Sequence, residues 1–112
     1  MDNPYITPNR VRDALRSLNL RPTRSMGQNF LTDPGALASI VNAADLSADD
    51  VAVEVGPGLG VLTWELVQRA GQVYSVELDR RLAERIRNEF AGNDKLHVVE
   101  SDILRISPSQ IL

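Results

Sequence analysis

The chain contains no cysteine, so disulfide staples and thiolate metal sites are excluded, and its 112 residues hold a single histidine, His97. It also lacks any apolar run approaching the roughly 18 residues that a membrane span requires. At the amino terminus Asp2 and Pro4 precede only scattered apolar residues, which is not the pattern of a signal peptide. These absences predict a cytoplasmic protein that neither crosses a membrane nor depends on a metal. What is present, 43% hydrophobic and 24% charged residues, is the composition of a soluble globular domain. The length allows one domain with a modest core and is short for a complete α/β fold.

Positive charge is scarce over the chain as a whole but not at its start. Residues 1–24 carry five arginines (Arg10, Arg12, Arg16, Arg21 and Arg24) against Asp2 and Asp13, a local charge of +3 within a net charge of -3. The segment reads as a basic arm with a short helix, followed by an acidic body over residues 25–112. Arginine suits phosphate recognition, which makes Arg10, Arg12 and Arg16 candidates for RNA contact. A solvated helix face accounts for the same charges equally well.

Thr7-Pro8, an N-cap followed by proline, together with the spacing of Val11, Leu15 and Leu18, predicts a helix over about 8–18. Asp33-Pro34 repeats that start, and Leu37, Ile40, Val41 and Ala44 form an apolar stripe for a helix over about 34–44. Val51 to Val55 reads as a buried strand ending at Gly56. Leu62, Leu66, Val67 and Ala70 make the next helix stripe, with Gly71 as its C′ residue. Val73 to Val76 is a second strand ending at Glu77, and Leu82, Ile86 and Phe90 mark a helix closed by Gly92. Leu96 to Val99 is a third strand, followed by Glu100 and Asp102. His97, inside that strand, and Trp64 and Phe90, on helix faces, read as packing residues.

Strand, helix, strand, helix, strand is a parallel run, and right-handed crossovers order its strands 3-2-1. The fold class is therefore α/β, the first half of a Rossmann-like doubly wound sheet that stops before a fourth strand. The edge of strand 1 is then left open and apolar, which implies a fragment of a longer protein or an edge covered by a partner.

Ligands of such sheets bind at the carboxyl ends of the strands. There Gly56-Pro57-Gly58-Leu59-Gly60 lets the backbone approach a ligand closely. Glu77, seventeen residues after Gly60, is placed to accept from a ribose hydroxyl pair, and Asp102 from an exocyclic adenine amine. Helix capping or plain solvation explains either acid taken singly. The dinucleotide fingerprint G-x-G-x-x-G requires glycine where Val61 stands, one residue after Gly60. A glycine turn joined to acids at two further strand ends fits S-adenosylmethionine (SAM), which has a ribose and an adenine but no pyrophosphate.

The segments "SMGQNFLTDP", "VEVGPGLGVLT" and "VELDRRLAERI" closely resemble the ribosomal RNA small-subunit adenine N6,N6-dimethyltransferases over about residues 20–112. Related large-subunit methylases share the plan, but "GPGLGVLT" and "ELDRRLAE" look more like the small-subunit branch. The resemblance implies a class I SAM-dependent methyltransferase fold. It further implies that Gln28, Asn29 and Leu31 close over the methionine end of SAM. Gly56 then makes a main-chain contact within the loop of Gly58 and Gly60, Glu77 binds ribose, Asp102 faces the adenine amine and Ile103 packs beside the base. Glu54 supports the loop and the methionine amino group. Without the resemblance, Gln28 and Asn29 read as a helix-leading turn held by side-chain hydrogen bonds.

The implied reaction is successive transfer of two methyl groups to N6 of each of two adjacent adenines near the 3′ end of small-subunit rRNA, on the pre-30S particle. It works by orienting the amine in line with the methyl-sulfur bond of an unstacked base. It needs neither metal nor covalent intermediate, in agreement with the missing cysteines. The family's Asn-Leu-Pro-Tyr segment, which holds the target amine, does not occur in these 112 residues. No catalytic residue is therefore assigned, and the chain is expected to bind SAM without transferring its methyl group. Two other readings stay open: an rRNA-binding assembly factor with SAM secondary, and an NAD-dependent oxidoreductase.

Overall fold

A computed structural model describes residues 3–4 and 34–112. The basic arm with Arg10, Arg12 and Arg16, the helix expected over about 8–18, and Gln28, Asn29 and Leu31 lie outside the described residues.

Helix α1 (Pro34–Ala44) begins at the proline, as its fixed φ favours. Of the four stripe residues expected to pack, only Leu37 and Val41 are buried; Ile40 and Ala44 are exposed. The contact is narrower than the stripe because Leu37 and Val41, one turn apart, meet Val61 and Leu62 of a single neighbouring helix. Asp45, at φ 48°, then turns the chain into the loop that leads to the sheet.

Three parallel strands, β1 (Val51–Val55), β2 (Gln72–Glu77) and β3 (Leu96–Glu100), pair in the order β1-β2-β3. This is the expected 3-2-1 order. Helix α2 (Val61–Arg69) links the first two strands and α3 (Arg80–Glu89) the second two; a short α4 (Pro108–Ile111) follows. The register places Ala52 beside Val73 and Glu54 beside Ser75, then Val73 beside Leu96 and Ser75 beside Val98. Those residues share one face, and α2 covers it: Leu66, Val67, Ala70 and Val73 form a core with Leu46, Ala52, Leu62, Phe90 and Leu96 packed around it. Ile86 of α3 is sealed completely, a burial that contributes about 1.5–3 kcal/mol for a side chain of this size.

The reading of β1 as a buried strand needs correction. Val51, Val53 and Val55 are 53%, 46% and 57% exposed, and the residue that β1 buries is the carboxylate Glu54, at 5%. Alternation explains this: even positions of β1 point at α2, whereas odd positions point at the opposite face, where among the described residues only Val76 of the central strand is sealed. On that same face His97 is exposed rather than packed. Its ring stacks on Tyr74 with centroids 4.5 Å apart, and Nε2 lies 2.7 Å from Oε1 of Gln72.

Gly71 does follow α2 as its C′ residue, but close approach rather than a left-handed turn demands glycine there. A Cβ at Gly71 would clash with the carbonyl oxygen of Ala48. The Gly71 and Gln72 N–H groups donate to the Asp50 carbonyl at 2.9 and 3.3 Å, tying the loop before β1 to the start of β2. Phe90 is the C-cap of α3 rather than a helical residue, and Gly92 at φ 86° completes the turn into β3.

Candidate cofactor site

The glycine turn leaves β1 at Gly56, whose N–H continues the sheet by donating to the Val76 carbonyl at 2.8 Å. Gly56, Gly58 and Gly60 all have positive φ, at 71°, 57° and 90°, a region that side chains other than glycine adopt only with strain. Their surroundings differ. A Cβ on Gly56 or Gly58 would meet no atom of the described residues within 4 Å, so among them open space lies in front of both. A Cβ on Gly60 would sit 3.0 Å from Phe90 Cε2 and 3.1 Å from Ile86 Cδ1, so this glycine serves the packing of the turn on α3.

Gly60 is also the N-cap of α2, where no side-chain hydrogen bond caps the helix. The next residue, Val61, is fully buried against Leu37 and Val41. The position at which a dinucleotide turn would carry its third glycine is thus occupied by a core side chain. Asn3 lies above this helix start, donating from Nδ2 to the Val61 carbonyl at 2.7 Å.

Glu77 ends β2 beside the turn and is 7% exposed. Its Oε1 accepts the Gly58 N–H at 3.4 Å and its Oε2 accepts the Asp79 N–H at 2.9 Å. Among the described residues, each carboxylate oxygen therefore has one engaged lone pair and one remaining. Helix capping, the alternative explanation for this acid, falls instead to Asp79, whose Oδ1 accepts from the Arg81 and Leu82 N–H groups at 2.8 and 3.2 Å.

The Glu77 carbonyl accepts the Ser101 N–H at 3.0 Å, which brings the end of β3 alongside. Asp102 comes next, and its Oδ1 accepts the Leu104 N–H at 2.9 Å while its carbonyl accepts the Arg105 N–H at 2.9 Å. Arg105 lies 3.8 Å from Oδ2, a solvent-exposed pair of little energetic weight. Asp102 thus shapes its own turn and keeps Oδ2 only loosely engaged; Ile103 beside it is partly buried.

Glu54 lies deeper. Its Oε1 accepts two hydroxyls, Thr63 Oγ1 at 2.6 Å from α2 and Ser75 Oγ at 2.8 Å from β2. Burial pushes this carboxyl above its ordinary 4.5; the two hydroxyl bonds pull it back down, and the Glu77 carboxylate pushes it up again. Neither Thr63 nor Ser75 stood out in the sequence as part of a site. The signal available was Ser75 itself, a small hydroxyl between Val73 and Val76 in a strand where apolar side chains were expected.

Glycines at one strand end and a buried carboxylate at the next are a juxtaposition suited to a ligand rich in hydroxyl and amine donors. No phosphate cradle accompanies it among the groups described, and the donor chemistry fits the ribose and amino-acid ends of SAM. The fold is a Rossmann-like α/β arrangement. Residues 19–112 match the family model for ribosomal RNA adenine dimethylase, and the chain belongs to that family.

Its curated relatives include ribosomal RNA small subunit methyltransferase A of Dehalococcoides mccartyi, 44% identical over 91% of this chain and 35% of the relative. The protein of the same name from Thermobifida fusca is 46% identical over 95% of this chain and 39% of the relative. The chain thus spans little more than a third of the length of these relatives. Among solved structures, the 23S rRNA methyltransferase ErmE matches with TM-score 0.63 at 42% identity, over 68% of this chain and 31% of that one. A dimethyladenosine transferase from Plasmodium falciparum matches with TM-score 0.63 at 30% identity, over 67% of this chain and 28% of that one.

Proposed function

We propose that the chain is the SAM-binding part of a cytoplasmic enzyme that dimethylates N6 of two adjacent adenines near the 3′ end of small-subunit rRNA, with the pre-30S particle as its partner. The observation that carries this reading is the juxtaposition of Gly56 and Gly58, open to a ligand, with the buried Glu77 carboxylate at the adjacent strand end. Family membership supplies the substrate class.

When bound, SAM supplies an electrophilic methyl group. The chain's own residues hold and orient that cofactor. Glu77 uses its remaining lone pairs for the ribose hydroxyls, Gly56 offers main-chain contact, and Gly58 and Gly60 shape the loop. Asp102 receives the adenine amine through Oδ2, with Ile103 beside the base. Glu54 supports the loop and the amino-acid end, over which Gln28, Asn29 and Leu31 close. Residues 25–112 form this cofactor-binding unit, and the arm over residues 1–24 meets RNA phosphates through Arg10, Arg12 and Arg16. The 112-residue chain by itself binds SAM without methylating rRNA.

Calorimetric titration of this chain with SAM, with NAD as competitor, tests the reading. Saturable SAM binding that NAD does not displace is the expected result. Displacement by NAD, or no SAM binding at all, would overturn it. Methylation of unmodified small subunits by this chain, followed with labelled SAM, would overturn the inertness.

A further inference from the structure

Glu54 is held asymmetrically. Oε1 accepts both the Thr63 and Ser75 hydroxyls, which come from different elements and are themselves fully buried, whereas Oε2 accepts no hydrogen bond from the described residues. A buried carboxylate with one oxygen doubly engaged and the other unengaged receives a further donor on the lone pairs of that second oxygen. We propose that Thr63 and Ser75 are positioning residues that lock Oε1 and present Oε2 to the cationic ammonium of the cofactor's amino-acid end.

The proposal rests on the SAM reading above and adds to it two residues that touch no cofactor. An ammonium is the fitting partner because a third neutral donor would leave the buried charge poorly balanced, whereas a cation offsets it. The neighbouring charge is the Glu77 carboxylate on β2, which disfavours ionisation of Glu54; Thr63 from α2 and Ser75 from β2 supply hydroxyls that favour it. The hydroxyl pair therefore has a second effect besides orientation. Against the larger upward push of burial, it lowers the carboxyl's pKa and so favours the ionised state that an ammonium requires.

The test compares SAM with 5′-methylthioadenosine, the cofactor stripped of its amino-acid end, against Thr63→Val/Ser75→Ala. SAM affinity is expected to fall about tenfold while methylthioadenosine affinity stays within about twofold. Thr63→Ser, which keeps the hydroxyl, should restore most of the SAM affinity in the Ser75 background. The defect should also shrink as pH rises towards neutrality, below the range in which an α-ammonium loses its proton at about pH 8, because the higher pH ionises Glu54 without help from the hydroxyls. Equal losses for both ligands, or no loss for either, would overturn the proposal.

Carbon-13 NMR titration of the Glu54 carboxyl without ligand separates this proposal from the one beneath it. A midpoint moved upward in the double variant supports the lock, and an unmoved midpoint overturns it. A parent chain that binds neither compound sinks the proposed function and the ligand named here, while the titration still decides whether the hydroxyl pair governs Glu54.

Discussion

The two strand-to-helix turns at the carboxyl end of the sheet are built in opposite ways. Between β2 and α3 the connection is only two residues, Leu78 and Asp79, and Asp79 caps the helix by accepting from the Arg81 and Leu82 N–H groups. Between β1 and α2 the connection takes five residues, Gly56 to Gly60, three of them glycines at positive φ, and the helix start has no side-chain cap. One turn satisfies its own helix and so contributes stability. The other starts its helix without a side-chain cap and, among the described residues, leaves open space in front of Gly56 and Gly58, where a ligand can stabilise it. Glu77 belongs to both, since one of its oxygens takes the Gly58 N–H and the other the Asp79 N–H.

The largest expected effect follows from that shared position. Glu77→Ala removes the carboxylate assigned to the ribose and is expected to weaken SAM binding by about a hundredfold, or ~3 kcal/mol. Glu54→Gln keeps an acceptor for Thr63 and Ser75 and should cost less than Glu77→Ala. Isothermal titration of both variants gives the order. If Glu54→Gln proves the more damaging, the amino-acid end and not the ribose anchors the cofactor, and the contrast between the two turns loses its functional meaning.

Much of this division was legible in the sequence, and the parts that were not have physical causes. Strand positions, their order and the role of the glycine turn followed from β-branched runs, punctuating glycines and the handedness of crossovers. The exposure of β1 did not, because Val51, Val53 and Val55 look the same whether one face is covered or two. Periodicity marked Ile40 and Ala44 as apolar but not that α1 buries Leu37 and Val41 and leaves the other two exposed. The hydroxyl pair on Glu54 was invisible for a further reason. Thr63 lies nine residues away and Ser75 twenty-one, and only the parallel register brings them to one oxygen.

Within the glycine turn the comparison can be sharpened residue by residue. Gly58→Ala should cost about 1–2 kcal/mol, the strain of a left-handed alanine, because none of the described residues crowds its Cβ. Gly60→Ala carries the same strain and also presses on Phe90 and Ile86, so a total of about 2–4 kcal/mol is expected. Urea unfolding of the two variants measures the difference. SAM binding by the Gly60 variant, once folded, should change less than that of the Gly58 variant, whose loop site faces the ligand. Equal stabilities would mean that the turn yields freely against α3, and that Gly60 is not the packing glycine of the three.

The second turn gives the smallest effect and the cleanest separation of stability from binding. Asp79→Ala removes the α3 cap and is expected to cost about 1 kcal/mol at neutral pH. SAM affinity should stay near that of the parent, since Glu77 still accepts the backbone N–H of residue 79. The effect carries a pH signature. The backbone N–H of Leu82, followed by that of Arg81, holds the Asp79 carboxyl below its ordinary value of 3.8. A carboxyl with a depressed folded-state pKa binds fewer protons folded than unfolded as pH falls past 3.8, so its stabilisation is complete above that value and is lost as pH drops through the folded pKa. The stability gap between parent and variant should therefore be constant near neutrality and narrow below pH 3.8. A gap that persisted unchanged into acid would show that the Asp79 side chain acts by packing or geometry rather than as an ionised cap. A large loss of SAM affinity would show instead that the two turns are mechanically coupled through Glu77, and that capping the second helix is part of how the first turn is held open.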